Sequence, residues 1–157
     1  MRLLVELPPD REAEGRFTIF DDDGAAMLGP VRCRGEADDG EERRHGTKDD
    51  DPVHAYGDFP FGMFRIKGIV QDPQPAASYG PFFWGLVPVS GQALEAWVNG
   101  RRGIGLHSGA LGPGGTLRAT HGCCRVDDET NERAAKLVKP VLDAHVEVYL
   151  EARPLVP

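Results

Sequence analysis

Apolar and polar positions alternate in short stretches along most of this chain, and a period of two predicts strands rather than helices. Residues 3–7 (LLVEL) and 16–20 (RFTIF) are two such runs, separated by Pro8, Pro9 and a polar turn. Asp21-Asp22-Asp23-Gly24 has the composition of a tight turn and joins the second run to a third over 26–33, which predicts a hairpin. Residues 54–60 are turn-rich, and 63–70 (MFRIKGIV) alternate as a half-buried strand should, until Pro73 and Pro75 break the pattern. Residues 81–89 (PFFWGLVPV) are an apolar run of strand length, and 103–107 (GIGLH) a short strand that ends at His107. Near the C-terminus, 144–152 (AHVEVYLEA) alternates with Val146, Val148 and Leu150 on one side.

Two segments read as helices. In 90–99, Ser90 can cap the start, Ala93, Leu94, Trp97 and Val98 share a face, and Asn99-Gly100 ends the run. The second starts at a cap supplied by Asp127 or Asp128 and continues to about Lys139, with Pro140 marking its stop. No internal repeat stands out. Strands, a long loop, more strands and two short helices, without alternating βα units, predict a β-dominated domain, all-β or α+β. The length of 157 residues suits one domain over 1–157, and 20 glycines with 13 prolines suit many turns.

Charge narrows the partners. The net charge is −7 and no Lys/Arg cluster is interleaved with aromatics, which argues against nucleic acid and against an anionic membrane surface. Residues 36–51 hold eight of the 25 carboxylates with no apolar positions to bury, so they read as a flexible, solvated acidic loop. The N-terminus lacks the apolar core of a Sec signal, and no run reaches the length of a membrane span.

Chemistry concentrates in 103–126, GIGLHSGALGPGGTLRATHGCCRV. A thiol with its ordinary pKa of about 8.5 is mostly protonated at neutral pH, so a nucleophilic cysteine needs a base or a positive field. His107, His121 and Arg125 lie in this segment, and Gly122 before Cys123 lets backbone N–H groups approach a substrate. Set against this, a cysteine is often a small buried hydrophobe, which is the reading for Cys124 and for Cys33 in its strand. Three cysteines, two of them adjacent, do not make a disulfide framework. Cys33, His121, Cys123 and Cys124 lack zinc-ligand spacing, and 112–115 lacks the Lys-Ser/Thr of a phosphate loop. His45, His54 and His145 read as exposed or structural, and Trp84 and Trp97 as core.

The segment THGCCRV (120–126) resembles the [S/T]HGC signature of the L,D-transpeptidase (YkuD-type) family. GIGLHSG resembles that family's glycine-flanked histidine strand, GDFPFGMFRI (57–66) its G-x-x-P-x-G-x-F-x-I segment, and YGPFF (79–83) its YGP-type strand. A capped helix and the HVEV strand follow in the matching order, so the resemblance covers about 16–150.

It implies a mixed sheet or sandwich with Cys123 as acylated nucleophile and His107 as general base, oriented by the carbonyl of Ser108. His121 and Gly122 would shape the pocket, and the N–H groups of Gly122 and Cys123 would face the oxyanion. Arg125 would fix the site or meet a substrate carboxylate, and Tyr79 would contact substrate. The implied reaction is attack on a peptidoglycan stem tetrapeptide, loss of D-alanine, and resolution of the thioester by an amine to give a 3→3 crosslink. It calls for no metal or organic cofactor, would make Cys123 a target of carbapenem-type β-lactams, and places the protein in the cell envelope or periplasm. A cytoplasmic location or another export route is the alternative in the absence of a visible Sec signal. Resolution by water would make the domain an L,D-carboxypeptidase or endopeptidase, such as a secreted antibacterial effector; loss of chemistry would leave a binding domain. Three features depart from the family pattern: only twelve residues between His107 and Thr120, Cys124 where an aliphatic residue is expected, and the acidic insert.

Overall fold

In the computed structural model, which describes residues 1–38, 40 and 51–156, eight strands form one mixed sheet. They are β1 (Arg2–Leu7), β2 (Gly15–Phe20), β3 (Ala26–Cys33), β4 (Gly62–Gln71), β5 (Phe82–Ser90), β6 (Gly105–His107), β7 (Cys124–Arg125) and β8 (Tyr149–Pro154). Their order across the sheet is β3-β2-β1-β8-β4-β5-β6-β7. Neighbours are antiparallel except β1 with β8 and β6 with β7. The two outermost strands meet. Just past β3, Arg34 and Arg125 exchange backbone hydrogen bonds of 2.8 Å in each direction, so the sheet curls until its edges touch. Closure of this kind removes exposed strand edges.

The curl encloses Leu3, Val5 and Leu7 of β1, Phe17 and Ile19 of β2, Phe64 of β4, Trp84 of β5 and Leu106 of β6. Trp84 is core, as its apolar run predicts, and Cys33 and Cys124 are fully buried beside it in the same apolar cluster. The β-dominated class read from the alternation and the mixed sheet implied by the family resemblance are both observed.

Among the described residues three α-helices decorate the sheet: α1 (Ala76–Tyr79), α2 (Gly91–Val98) and α3 (Asp128–Asp143). Asp127 caps α3 by accepting from Thr130 N at 2.8 Å. Pro140 does not stop this helix, which continues to Asp143. Ser90 occupies the cap position of α2 without a capping bond from its hydroxyl; the Phe61 carbonyl accepts from Ala93 N at 2.8 Å instead. The buried face of α2 is Ala93 and Ala96, which leaves Leu94, Trp97 and Val98 exposed, contrary to the face expected from their spacing. Trp97 is therefore not core; the Arg102 guanidinium lies over its ring at 3.7 Å. At the C-terminus the strand starts later than the alternation suggests, at Tyr149, because β8 pairs with all of β1, Leu3 opposite Leu150 and Leu7 opposite Pro154. Val148 and Leu150 are buried and Val146 is exposed.

The acidic stretch 36–51 falls mostly outside the described residues. Its first residues are fixed in place: Ala37 is buried, its N–H donates to Asp58 Oδ1 at 2.8 Å, and it bridges Thr120. Among the described residues no helix is long and apolar enough to cross a membrane.

Candidate active site

The site lies where β6 meets β7. These strands pair in parallel, Leu106 beside Cys124 and His107 beside Arg125. Side chains alternate across a sheet. Leu106 and Cys124 therefore point into the core, whereas His107, Arg125 and Cys123 (two positions before Arg125) share the opposite face. Gly105, one step from Cys123 in this register, presents no side chain there. A Cβ on Gly105 would sit 2.4 Å from the Phe83 ring, and Phe83 stacks on His107 with centroids 5.9 Å apart. The glycine before the histidine thus makes room for the ring that holds the imidazole.

His107 is almost fully buried between Phe83 and Tyr79, whose ring meets it edge-on at 5.2 Å. Its Nδ1 lies 2.9 Å from the carbonyl oxygen of Ser108. A carbonyl can only accept, so the neutral ring carries its proton on Nδ1 and leaves Nε2 as the basic nitrogen. Burial pushes the His107 pKa down to about 4; the Ser108 and Ser78 carbonyls resist this, while Arg125 and His121 reinforce it. The imidazole is therefore neutral at pH 7.

Cys123 is partly open to the cleft, and its thiol points toward the Gly103 carbonyl at 3.7 Å. Burial raises its pKa to about 11, against the pull of the Gly105 amide and the guanidinium groups of Arg101 and Arg125. The resting pair is a thiol and a neutral imidazole.

The turn carrying Cys123 is locked by Thr120. Its Oγ1 accepts from Gly122 N at 3.0 Å and donates to the Cys123 carbonyl at 2.8 Å. The Gly122 N–H is consequently engaged, and of the two donors expected to face an oxyanion, the Cys123 N–H is the one left to that role. Gly122 itself has φ +110, and a Cβ there would lie 2.3 Å from Arg101 Nη2. Only glycine meets both requirements.

That guanidinium was not singled out by the sequence. Arg101 is buried and donates to the carbonyls of Asp58 (2.8 Å), Gly57 (2.9 Å) and Gly122 (3.0 Å). Burial lowers its pKa to about 10, offset in part by Cys123 and Asp58, so it stays charged at neutral pH. It ties the 57–58 loop to the turn that carries Cys123. Asn131 was also missed. Fully buried on α3, it accepts from Trp84 Nε1 and donates to the Phe82 carbonyl and to Ser108 Oγ, each at 2.8 Å. It thereby fixes the residue whose carbonyl holds His107. A sequence signal for it exists: Asn131, Ala134, Ala135 and Val138 form one buried helical stripe, and a polar residue in such a stripe needs a partner.

All seven residues expected at the site converge. Tyr79, His107, His121, Gly122, Cys123 and Arg125 line one cleft of about 800 Å³, and buried Ser108 lies just behind His107. Arg125 reaches the Ala110 and Ser78 carbonyls, both at 3.3 Å. His121 is exposed, with the Tyr56 ring edge-on at 6.3 Å. His54 and His145 lie away from this cleft and are exposed, while His45 lies outside the described residues. Among the described residues no three His, Cys, Asp or Glu side chains converge as a metal-binding group.

Two solved structures are similar to this chain, each aligned over 99% of it. One is Bd1075 from Bdellovibrio bacteriovorus, at 14% identity and a TM-score of 0.54, with 48% of that chain covered. The other is the helical cell shape determining protein Pgp2 from Campylobacter jejuni, at 16% identity and a TM-score of 0.48, with 49% covered. The chain spans about half the length of the solved structures it matches. No curated protein matches it. The model of the L,D-transpeptidase catalytic domain matches residues 15–148, most of the sequence, and this chain therefore belongs to the L,D-transpeptidase (YkuD) catalytic-domain family.

Proposed function

We propose that this domain is a cysteine acyltransferase acting on peptidoglycan stem peptides in the cell envelope, with Cys123 as nucleophile and His107 as base. The observation that carries the reading is the placement of a partly exposed thiol and a neutral, carbonyl-anchored imidazole on one face of β6 and β7, in one cleft. In this reading Cys123 Sγ attacks the amide carbonyl that precedes a terminal D-alanine, and His107 Nε2 takes the thiol proton. The tetrahedral oxyanion faces the Cys123 N–H. As the C–N bond breaks, the imidazolium returns the proton to the departing amine, so D-alanine leaves and a thioester remains. An amine from a second stem then attacks the thioester, giving up its proton to His107, and a 3→3 crosslink forms as the thiol is regenerated. Arg101 and Arg125 contribute by favouring negative charge at sulfur during attack. Carbapenems, whose strained amide offers the same electrophile, would acylate the same sulfur.

The test is intact-mass measurement of wild type and Cys123→Ala after incubation with a disaccharide-tetrapeptide, followed by product analysis. A wild-type-only adduct with crosslinked dimers supports transpeptidation. D-alanine release without dimers means that water resolves the thioester. If neither the peptide nor a carbapenem modifies Cys123, the acyltransferase reading fails.

A further inference from the structure

The charges around the cleft differ from those of the molecule as a whole. The chain carries a net −7, yet among the described residues the charged side chains lining the cleft are Arg101, Arg102, Arg118 and Arg125, with Asp38 as the acid. Cationic walls within an acidic protein concentrate the field at the cleft and draw anions to it.

Two of the four arginines are fully occupied by the fold. Arg101 is buried and bonded to backbone carbonyls on both sides of the nucleophile turn. Arg102 lies over Trp97 and donates to the Trp97 and Arg101 carbonyls at 2.7 and 2.8 Å. The other two retain capacity. Arg125 is 95% buried, and its Nε has no hydrogen-bond partner among the described residues, which is costly for a charged group. Arg118 is exposed at the cleft, with its stem against Gly112, and forms no hydrogen bond or ion pair with the described residues. It is near enough to Arg125 for the two like charges to repel. A carboxylate received here would relieve that repulsion and use the planar donor fork of Arg118.

We propose that Arg118, backed by the charge of Arg125, forms a carboxylate subsite beside Cys123, so that the preferred acyl donor is a peptide with a free carboxylate close to the scissile amide. The proposal rests on the reading of Cys123 as the acylated nucleophile. A stem tetrapeptide offers that chemistry in two places: the C-terminal carboxylate of the departing D-alanine, and a carboxylate on the side chain of the preceding diamino acid.

Three matched donors separate these sources: one with both carboxylates free, one with a C-terminal amide, and one with a side-chain carboxamide. kcat/KM for amide cleavage is measured on each with wild type, Arg118→Gln and Arg118→Lys, at low and at high salt. For wild type, one of the two capped donors should be about 10- to 100-fold poorer than the free donor, the worth of a charge-assisted hydrogen bond. Arg118→Gln should treat that capped donor and the free donor alike, and Arg118→Lys, which keeps the charge without the fork, should fall between. The cap that matters identifies the carboxylate. Added salt should narrow the wild-type preference. Equal use of all three donors by wild type, or the same loss on all three in Arg118→Gln, overturns the subsite and leaves the acyltransferase reading standing. Failure of every donor to acylate Cys123 overturns both.

Discussion

In the half of the sheet that runs from β3 to β8, β1 and β8 pair over six residues in unbroken register, β1 pairs as regularly with β2, and the side chains they bury include Leu3, Val5, Leu7, Phe17, Ile19 and Leu150. At the other end, β6 has three residues and β7 two, and the buried side chains around them include His107, Ser108, Thr120, Arg125 and Asn131. Apolar burial stabilises the first region in proportion to area and tolerates small displacements. Hydrogen bonds hold the second, each contributing little net but costing 1–3 kcal/mol when one partner is left alone, on the order of magnitude usual for buried groups. The regular end makes the domain stable. The polar end makes one geometry of thiol and imidazole more favourable than its neighbours.

The largest expected effects set these regions against each other. Phe17→Ala removes a fully buried ring from the regular end and should cost about 3–5 kcal/mol in urea unfolding. Cys123→Ala should change stability by less than about 1 kcal/mol, since the side chain is small and partly exposed. Cleavage of the tetrapeptide should respond in the opposite sense: Cys123→Ala should lose at least about a thousandfold, as loss of a covalent nucleophile does. Phe17→Ala should keep its rate per folded molecule. A large unfolding cost for Cys123→Ala would show that the thiol is part of the framework after all, and the comparison would break there.

Asn131 joins the two regions, because it stands in the apolar stripe of α3 and bonds to the residue behind His107. Asn131→Ala leaves Trp84 Nε1 and the Phe82 carbonyl without their partner, and should destabilise by about 2–3 kcal/mol. Ser108 is also released, so its carbonyl no longer fixes Nδ1. The expected signature is roughly a tenfold loss in kcat with KM little changed, from imidazole misplacement, together with a displaced acid limb in the pH profile. Loss of stability with an unaltered profile would assign Asn131 to packing alone.

Much of the regular end was legible in the chain. Alternation in 3–7, 16–20 and 63–70 marks strands because one face of each is buried, and that pattern is local. The site was legible where its chemistry is local too: the His-Gly-Cys turn, the glycine before His107, and the Asp127 cap. What the sequence conceals depends on contacts between distant residues. Arg101 looks like a surface arginine until the 57–58 carbonyls and Gly122 surround it. Strand β7 is two residues long and exists because His107 and Arg34 flank it from remote parts of the chain. Pro140 signals a stop, yet α3 continues past it to Asp143, giving up the one helical hydrogen bond that an N–H at this position would have made. On α2, spacing marks a broad apolar face, whereas only the small Ala93 and Ala96 fit close to the sheet.

The smallest effect tests whether the imidazole truly belongs to the buried, polar end. His107 has a folded pKa of about 4 and an ordinary value near 6.5 once unfolded. Between those values the unfolded chain binds a proton that the folded chain refuses, so stability should rise with pH through this window and fall as the pH drops from 6.5 toward 4. From pH 6 to pH 5 the loss assignable to this residue is about 1 kcal/mol. Urea unfolding of wild type and His107→Gln at both pH values isolates it, because every carboxylate titrates alike in the two proteins. The wild type should lose about 1 kcal/mol more than the variant over that unit. Parallel losses would mean that water in the cleft reaches the ring and that its pKa is close to ordinary; the acid limb of the cleavage rate would then fall near 6.5 instead of near 4.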